Sequence, residues 1–162
     1  MSKSGTHKTY LSSKSEEFVV EKVVGQGTFG VVHKAVERVT GESVAIKSVF
    51  RADSCTVMLR RVLRELRVLH VFRHENIIRL VDIKYVQHEG CVYFVTELSN
   101  QDLLQLISYN RAMYRSLSSD DFRSILTQIL KALEFLHENR IIHRDLKVCR
   151  VSSSATAILR IP

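Results

Sequence analysis

The apolar residues of this chain leave strand-like alternation for good near residue 98, and that change limits the folds open to it. Before it, short β-branched runs alternate with turn signals: FVVEKVV (18–24), VVHKAVE (31–37), SVAIKSVF (43–50), RLVDIKYV (79–86) and CVYFVTEL (91–98). Each reads as a strand, the first three antiparallel, with turns at Thr40-Gly41-Glu42 and Glu89-Gly90. Between the third and fourth runs, Leu59, Val62, Leu63, Leu66 and Leu69 recur at helical spacing, which predicts a helix over roughly 57–72. After residue 98 the strands stop. Leu103, Leu104, Leu106 and Ile107 suggest a short helix over roughly 101–109, and Phe122, Ile125, Leu126, Ile129, Leu133 and Leu136 mark a long one over about 120–139. Ser118, three residues before Asp121, offers it a capping-box start. Leu130, Ala132 and Phe135 widen its stripe beyond one face, so the helix expects partners on several sides. Strands followed by helices mean an α+β arrangement.

Composition narrows the function classes. The 162 residues carry 24 Lys and Arg against 17 Asp and Glu, a net charge of +7. Nucleic-acid binding would use Arg60, Arg61, Arg64, Arg67 and Arg73, but most of these share a helix with an apolar stripe and spread over its other faces. They read as a solvated surface. Cys55, Cys91 and Cys149 share no metal-like spacing and suggest a reducing compartment, cytoplasmic or nuclear. No apolar run is long enough to span a membrane, so no membrane partner is expected. Residues 1–15, polar and rich in Ser, Lys and Thr, read as a flexible leader, either a solvated tail or a docking arm.

Four short patterns carry the chemistry. Three of the six glycines, Gly25, Gly27 and Gly30, fall in Gly-x-Gly-x-x-Gly-x-Val, ending at Val32. A dinucleotide fingerprint would open a helix there, whereas the next segment reads as a strand. A glycine hairpin lets backbone N–H groups approach phosphates, although a plain turn needs glycines too. Lys47 ends Val44-Ala45-Ile46-Lys47, and a lysine inside an apolar strand either snorkels to the surface or meets an anion or carboxylate. Glu65 is the only acid in the expected 57–72 helix. Finally, Ile142-His143-Arg144-Asp145-Leu146-Lys147 follows the long helix. An Asp and a Lys two residues apart on a loop form either a simple ion pair or a reaction centre, the Asp accepting a hydroxyl proton and the Lys neutralising phosphate charge.

Taken together and in this order, these patterns resemble the eukaryotic protein kinases over residues 16–147. Leu63-Arg64-Glu65-Leu66 and Arg73-His74-Glu75-Asn76-Ile77-Ile78 are similar to the mitogen-activated branch, while Gln101-Asp102-Leu103 also suits the cyclin-dependent one. The resemblance implies a kinase N-lobe over 16–98, a five-stranded antiparallel sheet plus one helix. The first helices of an incomplete helical C-lobe follow over 99–147. It implies ATP as cofactor, bound among Val24, Gly25, Gly27, Phe29, Gly30, Val32, Ala45 and Lys47, with Thr96 at the back of the adenine pocket and Glu97 through Ser99 as the hinge. Lys47 would hold the α- and β-phosphates and pair with Glu65, Asp145 would be the catalytic base, and Lys147 would contact the γ-phosphate. Arg64 and Arg144 match arginines that grip a phosphorylated activation loop. Protein substrates and upstream kinases are the implied partners.

The resemblance is expected to break after Lys147. Val148 and Arg150 stand where this group has Pro and Asn, and no Asp-Phe-Gly follows before Pro162. The Asn is a magnesium ligand, and a guanidinium offers no acceptor in its place. Magnesium is therefore expected for the family with its ligands missing here. Residues 148–162 read as a divergent tail arising from a frame or exon change, or as natural divergence of a short kinase-like protein. Two functions follow: a serine/threonine kinase present as an incomplete catalytic domain, or a catalytically inactive nucleotide- or partner-binding module.

Overall fold

The β-branched runs form five strands in the computed structural model, which describes residues 17–27, 30–50, 56–98, 103–114, 117–148 and 151. They are β1 (Phe18–Gly27), β2 (Gly30–Glu37), β3 (Ser43–Val49), β4 (Leu80–Val86) and β5 (Cys91–Glu97), in one antiparallel sheet of order β1-β2-β3-β5-β4. The helices are α1 (Thr56–Val71), α2 (Leu103–Ala112) and α3 (Ser119–Glu138). The α+β expectation and the strand-then-helix order stand. The leader 1–15, Phe29, Ser99, Arg150 and the tail beyond Val151 lie outside the described residues.

The chain divides into two compact units: Met1–Arg64 with Leu80–Leu98, and Glu65–Arg79 with Ser99–Pro162. In the first, strand alternation sorts the sheet into two faces. Ala35, Val44, Ile46, Tyr93 and Val95 share one face and are almost fully buried, joined in the core by Phe18 and Cys91. The opposite face is half-open. The β2–β3 turn is closed by the Gly41 N–H donating to the Glu37 carbonyl at 2.8 Å, with Gly41 at φ +73°, a left-handed value that suits glycine. A 3₁₀ turn, Gln87–Glu89, joins β4 to β5 at the expected turn site.

In α1, Val62, Val68 and Leu69 are buried and Glu65 is half-buried, whereas Leu59 and Leu63 are 40% and 43% exposed. The stripe's helix stands, with Val62 and Leu69 buried and Leu66 half-buried; Leu59 and Leu63 lie outward and Val68 joins the inward side.

In the second unit, α3 starts on the expected capping box. The Ser118 hydroxyl accepts the Asp121 N–H at 3.0 Å, and the Asp121 carboxylate accepts the Ser118 N–H at 3.2 Å. Residues just after α1 pack on α3. Phe72 meets the Phe135 ring edge-on at 5.9 Å between centroids, and the buried Asn76 amide donates to Gln128 Oε1 at 3.2 Å.

The glycines of the β1–β2 hairpin differ in what they permit. A Cβ on Gly30 would run into the Ser48 carbonyl oxygen on β3, while one on Gly25 would sit 3.6 Å from the Val32 Cβ, an ordinary contact. Gly30→Ala should therefore lower stability by roughly 1–3 kcal/mol, and Gly25→Ala should change it by only about 0.5 kcal/mol. Denaturant midpoints of the two variants check this; equal midpoints would contradict it.

Candidate functional site

The strand register decides which side chains share the half-open face. Residues directly opposite in an antiparallel ladder point the same way. Val32 lies opposite Lys47, Lys47 opposite Phe94, and Phe94 opposite Ile83, with Gly25 opposite Val32 on the edge strand. The next row on this face runs Lys22, Lys34, Ala45, Thr96 and Leu80. Gly25, Val32, Ala45, Lys47 and Thr96, five residues assigned to nucleotide binding from sequence, thus occupy two adjacent rows of one face, and all five are half-buried. Gly27 pairs with Gly30 at the hairpin end. Val24 falls at a register irregularity between Val23 and Gly25 and is 45% exposed. Glu97 lies opposite Val44, a residue of the core face.

Lys47 neither snorkels fully nor sinks into aliphatic core. Its ammonium stands 5.5 Å from the centroid of Phe94, a ring with no solvent exposure. The face of the ring is the negative end of its quadrupole, so it holds the cation over the open face without neutralising it. Further out, Lys34 pairs with Glu21 at 2.8 Å.

The second cluster lies in the other unit, where the end of α3 sets the loop that follows. The Ile141 N–H donates to the Leu136 carbonyl at 2.8 Å and the Arg140 N–H to the His137 carbonyl at 2.9 Å, the double closure of a Schellman motif. Arg140 takes the left-handed position, φ +59°, that glycine usually fills. His143 is then buried at 4% exposure, and its Nδ1 accepts the Asp145 N–H at 3.3 Å. Arg144 turns outward at φ +64°. The Asp145 carboxylate is left partly exposed, 3.4 Å from the Lys147 ammonium. At the far end, buried Val151 accepts the Leu103 N–H on its carbonyl at 2.8 Å, tying the segment to the start of α2. Asp145 and Lys147 are thus brought together. Lys47 and Glu65 belong to different units, with Glu65 half-buried on α1 and Lys47 on the sheet.

A protein kinase domain matches residues 18–151. The chain belongs to the protein kinase family. Its relatives include the mitogen-activated protein kinase HOG1 of Debaryomyces hansenii, 38% identical over 85% of this chain and 34% of that protein. The mitogen-activated protein kinase sty1 of Schizosaccharomyces pombe is 39% identical over 85% of this chain and 38% of its own length. The mitogen-activated protein kinase homolog NTF3 of Nicotiana tabacum is 38% identical over 90% and 39%. The chain spans about a third to two-fifths of the length of these relatives, and within the family it is similar to the mitogen-activated kinases.

The kinase match ends at Val151, four residues past Lys147. Val151 is buried, and its carbonyl accepts the Leu103 N–H at the start of α2. Sequence reading missed Phe94, although its place two residues before Thr96 puts it on the same face, and β5 reads as a strand throughout. It missed the His143 acceptor role because the imidazole bonds its own loop rather than a distant partner.

Arg140 occupies a left-handed position without glycine's freedom. Replacing it by Gly should stabilise the fold by roughly 0.5–1 kcal/mol, the relief of left-handed strain less the added freedom of the unfolded chain. A higher denaturant midpoint is the expected reading, and a lower one would show that the Arg140 side chain holds the loop.

Proposed function

We propose that residues 18–151 form the nucleotide-binding portion of a mitogen-activated-protein-kinase-like serine/threonine kinase acting on protein substrates under upstream kinases in the cytoplasm or nucleus. The observation that carries this is the two-row cluster of Gly25, Val32, Ala45, Lys47 and Thr96 on one half-open sheet face. Val32 and Ala45 are small apolar neighbours that a flat adenine ring can cover, and the Thr96 hydroxyl adds a polar edge. The Lys47 ammonium, over the Phe94 ring, meets the α- and β-phosphates. By the family resemblance, backbone groups from Glu97 through Ser99 would meet adenine, and the Gly25, Gly27 and Gly30 segment, Phe29 included, would offer backbone N–H groups to the triphosphate. Asp145, its backbone fixed by His143, accepts the proton of the substrate hydroxyl, and Lys147 offsets charge on the transferred phosphoryl.

The family uses magnesium with ATP, supplying charge neutralisation of the triphosphate. The donor set here fits the nucleotide better than the metal. Arg150 occupies the position of the family's amide ligand and carries five donors and no acceptor. The same residue favours a second reading, in which this chain binds nucleotide or a partner without transferring phosphate.

Two measurements on the 162-residue chain separate the readings. A fluorescent ATP analogue should bind, and Lys47→Met should weaken binding at least about tenfold through loss of a charge-assisted phosphate contact; unchanged affinity would refute the pocket. Radiolabel transfer to a protein substrate should stay at background, since loss of one preorganised stabiliser alone typically costs about 10²–10³ in rate. Turnover at ordinary kinase rates, abolished by Asp145→Asn, would instead establish the active enzyme.

A further inference from the structure

Of the residues assigned to nucleotide binding that share the half-open sheet face, only Lys47 carries charge. A lysine head on a long flexible stem can occupy many places. Here one of them is marked. Phe94 lies directly opposite Lys47 in the β3–β5 ladder, and the ammonium stands over its ring, 5.5 Å from the centroid.

The ring itself has little freedom. Phe94 is fully buried, Ile83 lies opposite it on β4, and Val92, two residues back, points to the same face. Val92 and its cross-strand partner Val49 are buried as well. A fixed ring beside a mobile ammonium is a positional device, because the negative face of the quadrupole attracts the cation to one place. The ring carries no net charge, so it places the ammonium without cancelling it.

That placement matters to one part of a nucleotide. Val32, Ala45 and Thr96 offer apolar surface and a hydroxyl to a base, and none of them is charged. Phosphate oxygens need the ammonium where they arrive. When only a fraction of the unliganded molecules holds it there, the apparent dissociation constant rises by the inverse of that fraction. We propose that Phe94 is a positioning residue that acts through Lys47: its ring face preorganises the ammonium and so sets the preference of the site for a nucleoside polyphosphate over the bare nucleoside. The proposal rests on the reading of this face as a nucleotide site.

Site-specific replacement of Phe94 by mono-, di- and trifluorinated phenylalanine tests this in the 162-residue chain. Fluorine withdraws electron density from the ring face and is close to hydrogen in size, so the attraction falls while the packing is kept. In calorimetric titrations, ATP affinity should fall stepwise along the series, by about three- to tenfold at the trifluorinated ring. Adenosine affinity should not change. Phe94→Leu should lose ATP affinity in the same way, and circular dichroism checks that each variant folds. Without nucleotide, the ring current should shift the Lys47 ε-methylene protons upfield. That signal is identified by its loss in Lys47→Met, and Phe94→Leu should return it to the ordinary lysine position.

ATP affinity that stays flat along the series, or falls equally for ATP and adenosine, would reduce Phe94 to packing and overturn the proposal. Affinity that rises with fluorination would also overturn it, since the ammonium would then have to leave the ring to meet phosphate. The two readings fail differently. A chain that binds no ATP refutes the nucleotide site and the proposal with it, whereas ATP binding that Lys47→Met abolishes and fluorination leaves untouched refutes the role of Phe94 alone.

Discussion

The register between β2, β3 and β5 is the constraint on which the candidate nucleotide site depends. Side chains alternate along a strand with a period of two, so a slip of one residue in β3 would turn Lys47 and Ala45 into the core and Val44 and Ile46 outward. That slip is opposed by the core itself. Val44 and Ile46 are 2% and 1% exposed, and each would have to trade places with half-buried Ala45 or Lys47. The close approach of Gly30 to the Ser48 carbonyl pins one end of the same pairing. Hydrophobic burial on one face thus fixes the chemistry on the other.

Within that frame the charged groups are held by local means. Lys47 rests over Phe94, so its position follows from the same ladder that places Val32 beside it. In the other unit Asp145 is positioned by backbone: a capped α3, a left-handed Arg140, a buried His143 that accepts the Asp145 N–H, and a Val151 carbonyl bonded to Leu103. The Asp145 carboxylate lies 3.4 Å from the Lys147 ammonium. Each unit therefore builds its part from its own core and caps.

Much of this was legible in the residues. Alternating β-branched runs located all five strands, and the Ser118–Asp121 box located the start of α3, because those signals are local. Gly25, Val32, Ala45, Lys47 and Thr96 were recognisable as motif residues, but their sharing of one face required the pairing register, a non-local property. The stripe of α1 did not tell Leu59 and Leu63 from Val62 and Leu69, because they are equally apolar and only covering neighbours decide which are buried. The Phe94 support of Lys47 went unseen because a ring in a strand reads as core. The left-handed Arg140 was invisible because composition gives no hint of a glycine-type position filled by arginine.

Methyl-resolved NMR of the 162-residue chain titrated with ATP tests the central claim most directly. The methyl groups of Val32, Ala45 and Thr96 lie on the open face, whereas those of Val44, Ile46 and Val95 lie on the buried one, one residue away in sequence. Saturable shifts confined to the first set are the predicted result. Equal shifts in both sets, or shifts confined to the second, would contradict the register and the site built on it.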